Sequence, residues 1–400
     1  MDAQPLLDAG AGVGHTVGLV LPGGGARAAY QVGVLRAIAD MLPSVASPFP
    51  IIVGTSAGAV AASVLATEAF HWHKAVHLLE EVWANFHVEQ VFRTDPLTMV
   101  LSGLHWGASL ISGGLLRPPS ALFDNTPLRE LLERNIHWDH LRTSVRRGSV
   151  QALALCATSY NSATSVAFFD GKPRTENWNR VQRVGRRATL TLDHLMASMS
   201  VPFLFPPVLL GGHYYGDGAQ RQLWPLSPAI HLGADRLLII GVRSEESAGS
   251  NPVADSTQEA PSPGQLIGYM LDTLFMDQIF ANVEHVARLN QVAKIAPQAV
   301  PDVRKVATFL IVPSQDLRVI ASRHVKSLPR GLRALLRVMG ARGPAGAELA
   351  SYLMFESAFT RELIALGVRD AMALREELLE YLSGDQVAHT IKLPVLRFKQ

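Results

Sequence analysis

Gly54-Thr55-Ser56-Ala57-Gly58 places the Ser56 hydroxyl between glycines at both two-residue offsets. The run before it, Ile51 to Val53, is short and apolar, and the run after it, AVAASVLATEAF, is built of small residues. A serine at such a strand-to-helix turn is a nucleophile elbow. The sharp turn strains its backbone, and only residues without a side chain fit on either side. The hydroxyl is thereby raised above the sheet at the positive end of the following helix. The competing reading is a plain turn in which Ser56 caps the helix. Gly23-Gly24-Gly25, followed by Ala26-Arg27, is a second signal. Consecutive glycines ahead of a helix let backbone N–H groups converge on one point and bind an anion. Gly23, Gly25 and Ala28 also fit a dinucleotide fingerprint, which calls for an acid at the end of the next strand. That strand ends in Val53-Gly54-Thr55-Ser56, with no acid, so an oxyanion hole beside a nucleophile is the better joint reading. The third signal, Asp217 between Gly216 and Gly218, reads alone as an ordinary turn aspartate.

Chemistry of this kind needs a rigid frame. Thr16 to Leu21 is an apolar run ending at Pro22 and the glycines, and Ala28, Val32, Leu35 and Ala39 then fall at helical spacing. Strand, glycine turn and helix make the first half of a βα unit. Gln151 to Ser159 and Ala163 to Phe169 read as a hairpin, and Arg236 to Val242 and Thr308 to Val312 as further strands. Residues 266–295 read as one long helix, and the chain beyond about 328 as entirely helical. Alternating strands and helices imply a mainly parallel sheet covered on both faces.

Composition narrows the classes. The 36 basic and 34 acidic side chains nearly cancel, which gives no support to nucleic-acid binding. Cys156 is the single cysteine, so neither an intrachain disulfide nor a cysteine-rich metal site is available, and its apolar frame reads as a buried, inert strand thiol. Residues 96–116 are apolar and long enough to span a bilayer, but His105 and two Ser-Gly pairs favour a buried or interfacial hairpin. Residues 244–263 form a polar, Pro- and Ser-rich loop.

Taken in order, GGGARAAYQVGVL at 23–35, GTSAG at 54–58, MASMSVPFLFPP at 196–207 and DGA at 217–219 resemble the patatin-like phospholipase family. The resemblance covers about residues 16–315. It implies a three-layer α/β/α sandwich with a mainly parallel central sheet, here with a helical C-terminal extension. It also implies hydrolysis of lipid acyl esters by a Ser-Asp dyad, with no metal or other cofactor. Carried over by position, Ser56 is the nucleophile, Asp217 the base, and the backbone of Gly23, Gly24 and Gly25 the oxyanion hole. Arg27, Gly54, Gly58, Gly216 and Gly218 support the motifs. One departure is Ala28, where the family has a last glycine. Arg27 is read either as an anchor for the glycine loop or a lipid phosphate, or as a surface charge or structural salt bridge. His194 and His213 lie nearest the motifs and supply the alternative, a Ser-His-Asp triad. A non-catalytic lipid-binding scaffold is the alternative from another class. Desolvation of Asp217 among Phe203, Phe205 and Pro206 is expected to raise its pKa. The expected organisation is a tail over residues 1–15, a hydrolase domain over 16–315 and a helical extension over 316–400. The expected partner is a lipid or phospholipid, not nucleic acid. The expected location is cytoplasmic, with peripheral contact at the inner face of the membrane.

Overall fold

The computed structural model describes residues 15–42, 46–93, 112, 121–173, 175–244, 260–296, 298, 304–341 and 343–383. The N-terminal tail, nearly all of the apolar stretch 96–116 and most of the loop 244–263 lie outside the described residues. Among the described residues ten strands form one sheet: β1 (Val17–Leu21), β2 (Ile51–Thr55), β3 (Ala152–Ser159), β4 (Thr164–Gly171), β5 (Trp178–Arg180), β6 (Arg183–Arg187), β7 (Val208–Leu210), β8 (His213–Asp217), β9 (Arg236–Ile240) and β10 (Ala307–Ile311). The central part runs β10-β9-β1-β2-β3, all parallel. Successive side chains of a strand point to opposite faces, yet every residue of β1, β2, β3 and β9 is buried. Both faces are therefore covered by helices, and the molecule is the three-layer α/β/α sandwich expected for such apolar parallel strands.

The helices that bear on the site are α1 (Ala29–Met41), α2 (Ala57–Thr67), α3 (Trp72–Ala84), α4 (Thr126–Asn135), α5 (Leu192–Met199), α6 (Pro263–Asp272), α7 (Arg330–Val338), α8 (Gly343–Leu353) and α9 (Ser357–Ala373). Helix α1 is buried nearly all round, more than its one-face pattern requires. The cause is α9, which packs along it, with Tyr30 Oη donating to Asp370 at 3.0 Å.

Two differences from the sequence reading stand out. Strands β5 and β6 were not anticipated, because Arg180, Arg183, Arg186 and Arg187 make the run polar; they form the outer antiparallel edge, where polar side chains face water. The long helix of 266–295 is interrupted by a π-helical turn, Thr273–Asp277, between α6 and the helix Gln278–Ile295.

Candidate active site

Strand β3 is the template that brings Ser56 and Asp217 together. Along one edge it pairs with β4 over its whole length. Along the other it pairs first with β2, up to Thr55 opposite Cys156, and then with β8, beginning at Asp217 opposite Ala157. The chain leaves the sheet after Thr55, at Ser56, and again after Asp217, the last residue of β8, one register step apart. Two motifs separated by 160 residues of sequence thus converge by strand pairing alone.

Ser56 has φ 54° and ψ −129°, a positive-φ backbone that costs a non-glycine residue energy and marks the elbow. The turn closes because Gly58 has no side chain: a Cβ there would lie 2.2 Å from the Leu21 carbonyl oxygen. A Cβ on Gly54 would likewise lie 2.5 Å from the Ala59 Cα in the first turn of α2. Ser198 of α5 braces the elbow, accepting from the Ser56 N–H at 3.0 Å and donating to the Cys156 carbonyl at 2.6 Å. It lies in the MASMS segment, but nothing in its spacing marked that role.

Asp217 is 1% exposed and Ser56 4%. The Asp217 N–H donates to the Ser200 carbonyl at 2.8 Å, and its Oδ1 accepts from the Ala219 N–H at 2.9 Å across the turn that Gly218 allows. Its Oδ2 is buried and, among the described residues, has no hydrogen-bond partner of good geometry. Burial pushes the Asp217 carboxyl up to about 7, against smaller opposing effects of the Ser56 hydroxyl and the Ala219 amide. The expected apolar setting is present in part: Phe205 is buried at the site, whereas Phe203 is exposed and has a positive φ. His194 is turned to Thr191, with Nδ1 2.9 Å from its hydroxyl, and His213 is exposed at the β7–β8 turn. Among the described residues, no histidine hydrogen-bonds to Ser56 or Asp217. Cys156 is buried, and burial pushes its thiol up to about 12, as an inert strand residue requires.

The glycine loop lies across the serine. A Cβ on Gly23 would fall 2.9 Å from the Ser56 Cβ and 2.5 Å from the Phe275 ring, which belongs to the π turn. Gly24 packs on Val242, and Gly25 adopts φ +53° against the Tyr352 carbonyl. Arg27 closes the loop and is 2% exposed, so it is neither a surface charge nor open to a lipid phosphate. It donates to Ser351 Oγ at 2.8 Å, Asp272 Oδ1 at 2.9 Å and Tyr352 Oη at 3.0 Å, and to Glu348. Arg243 and Arg318 complete the pairing of Asp272 and Glu348 at 3.0 and 3.2 Å. Burial raises the Asp272 carboxyl, but Arg27 and Arg243 outweigh it and hold it below the usual range. The loop is thus anchored to α6 and α8, through side chains that no motif disclosed.

Beside Ser56 an open cavity with ≈ 960 Å³ of empty space runs between α2, α3 and α4. Apart from Ser56, Asn135 and Tyr352 its lining side chains are apolar, among them Val60, Trp83, Leu132, Phe205, Phe275 and Phe355. Such a wall fits an alkyl chain and offers no counter-charge to a polar ligand. Among the described residues, no cluster of His, Cys, Asp and Glu could hold a metal, and no helix is long and apolar enough to cross a membrane.

The sequence model of the family described as patatin-like phospholipase matches residues 19–230, just over half of the chain. Patatin-like phospholipase domain-containing protein 7 of Rattus norvegicus is 35% identical over 101 residues, 24% of this chain and 7% of that protein. The chain therefore spans a small part of that relative. Among solved structures, VipD from Legionella pneumophila is similar with a TM-score of 0.37 and 13% identity, over 91% of this chain and 67% of that one.

Proposed function

Because this chain belongs to the patatin-like phospholipase family, we propose that it is a serine-dependent lipid acyl hydrolase of the phospholipase A, lysophospholipase or esterase type. The observation that carries the reading is the Ser56–Asp217 pair: a strained serine beside a buried carboxylate whose free oxygen has no other partner and whose pKa is pushed up to about 7. A base poised near neutrality is what a serine nucleophile needs.

In the proposed cycle, Asp217 takes the Ser56 proton as the hydroxyl oxygen attacks the ester carbonyl. Backbone N–H groups of Gly23, Gly24 and Gly25, with the positive end of α2, stabilise the oxyanion. Collapse of the tetrahedral intermediate breaks the ester C–O bond, and protonated Asp217 gives its proton to the departing alcohol. Water then attacks the acyl-serine, again losing a proton to Asp217, which returns it to Ser56 as the fatty acid leaves. The acyl chain lies in the apolar cavity throughout. A fluorophosphonate probe tests this reading: it labels the wild-type chain and not Ser56→Ala. A wild-type chain that takes no label is a lipid-binding scaffold, and the proposal fails.

A further inference from the structure

Helix α6 has two faces. Gly264, Gly268, Leu271 and Asp272 are buried, with Gly268 set against Leu349 and Glu348 of α8. On the other side Leu266, Tyr269 and Met270 are exposed, Tyr269 by 73%. Their spacing places them on one helical ridge. The start of α6 abuts the end of α7: the Gly264 N–H donates to the Met339 carbonyl at 2.8 Å, and Ser262 Oγ to the Gly340 carbonyl at 3.1 Å. Val338, one residue before this junction, is 86% exposed. A second apolar group therefore stands at the foot of the ridge.

Charge distinguishes this face from an ordinary apolar patch. Residues 317–347 contain seven Arg and Lys and no Asp or Glu, in a chain whose net charge is only +2. Arg318 and Arg323 are used in ion pairs with Asp316, Glu348 and Glu362. Lys326, Arg330, Arg333 and Arg337 form no ion pair among the described residues, and Lys326, Arg330 and Arg337 are exposed. In α7 the leucines Leu332 and Leu336 are buried while Arg330 and Arg337 face out.

We propose that the α6 ridge, Val338 and the cations of α7 form a docking face for an anionic lipid bilayer. Tyr269 and Leu266 enter the headgroup boundary, and the arginines reach the phosphates along their own apolar stems. Continuity with the site argues for this occupant. Leu271 at the inner end of α6 and Phe275 in the π turn that follows line the cavity beside Ser56, so the surface that meets the bilayer and the wall of the acyl cavity are one element. The choice of a bilayer rests on the lipid-ester reading above.

Vesicle flotation with the full chain carrying Ser56→Ala tests the proposal without hydrolysis altering the vesicles. The chain binds phosphatidylcholine vesicles containing phosphatidylglycerol about tenfold or more tightly than phosphatidylcholine alone, and added salt weakens the binding. Arg330→Gln with Arg337→Gln lowers that affinity roughly fivefold for each charge removed. Leu266→Ser with Tyr269→Ser lowers it about tenfold or more. In the background with Ser56 intact, both double variants hydrolyse a monomeric short-chain ester within about twofold of the parent, so loss of fold is not the cause. Equal binding by parent and variants overturns the proposal, as does no binding to either vesicle. Self-association abolished by the ridge variants would assign the face to a second copy and overturn it too. If vesicles bind as stated but no ester is ever hydrolysed, the hydrolase reading fails and the docking face stands.

Discussion

Two buried polar centres lie beside the glycine loop, and the fold treats them in opposite ways. Arg27 is enclosed by two carboxylates, a serine and a tyrosine, with two further arginines balancing the acids. Asp217 is as deeply buried, yet among the described residues it faces no cation, and one of its oxygens has no hydrogen-bond partner of good geometry. Burial therefore shifts the two in different ways. Arg27 stays charged because Tyr352, Glu348 and Asp272 more than offset its desolvation, whereas Asp217 is held near its titration point. A compensated buried charge holds structure in place. An uncompensated one stores a proton affinity that chemistry can use.

Substitutions at the two centres should separate these roles. Asp217→Asn removes the base and lowers kcat by on the order of 10⁴-fold, read with a monomeric ester. Arg27→Met acts on the other centre. It removes the cation that Asp272 and Glu348 share, leaving each acid with one arginine, Arg243 or Arg318, and destabilises the chain by about 3–5 kcal/mol, measured by denaturant unfolding. Should Arg27→Met unfold no more easily than the parent, the contrast between the centres collapses.

The same Asp217→Asn change is expected to stabilise the fold. The folded pKa of Asp217 lies above its unfolded value, so its favourable contribution is complete below about pH 4 and is lost as pH rises toward about 7. The variant should therefore match the parent near pH 4 and exceed it by up to about 4 kcal/mol above pH 7. Equal stability at both pH values would mean that Asp217 is not buried as an uncompensated charge. The smallest effect belongs to Ser198→Ala. It leaves the Ser56 N–H and the Cys156 carbonyl unpaired, costs about 1–3 kcal/mol in thermal or denaturant unfolding, and loosens the elbow without removing either reacting group.

The sheet and its central site were legible because their signals are local. The apolar runs of β1, β2 and β9 end in glycine turns, and the GTSAG and DGA segments carry their chemistry in adjacent residues. What could not be read was long-range. Arg27 alone was compatible with a surface charge, since its partners stand 245 to 325 positions away. Phe275 looked like any core aromatic of a continuous helix, because a π turn leaves no periodicity of its own. Asp217 looked like a common turn residue until β3 set it opposite Ala157, one step beyond the Thr55–Cys156 pair. The arginine-rich edge strands β5 and β6 lack the alternation that marks a half-buried strand.

The most direct test is the pH dependence of kcat/KM on a monomeric ester that stays in solution. The reaction needs Asp217 as the carboxylate, and its pKa is pushed up to about 7. The rate should therefore rise about tenfold per pH unit below that value and level off above it. A rate already at its plateau by about pH 5, with a midpoint in the ordinary carboxylate range near 4, would contradict the claim that a buried, uncompensated Asp217 is the base.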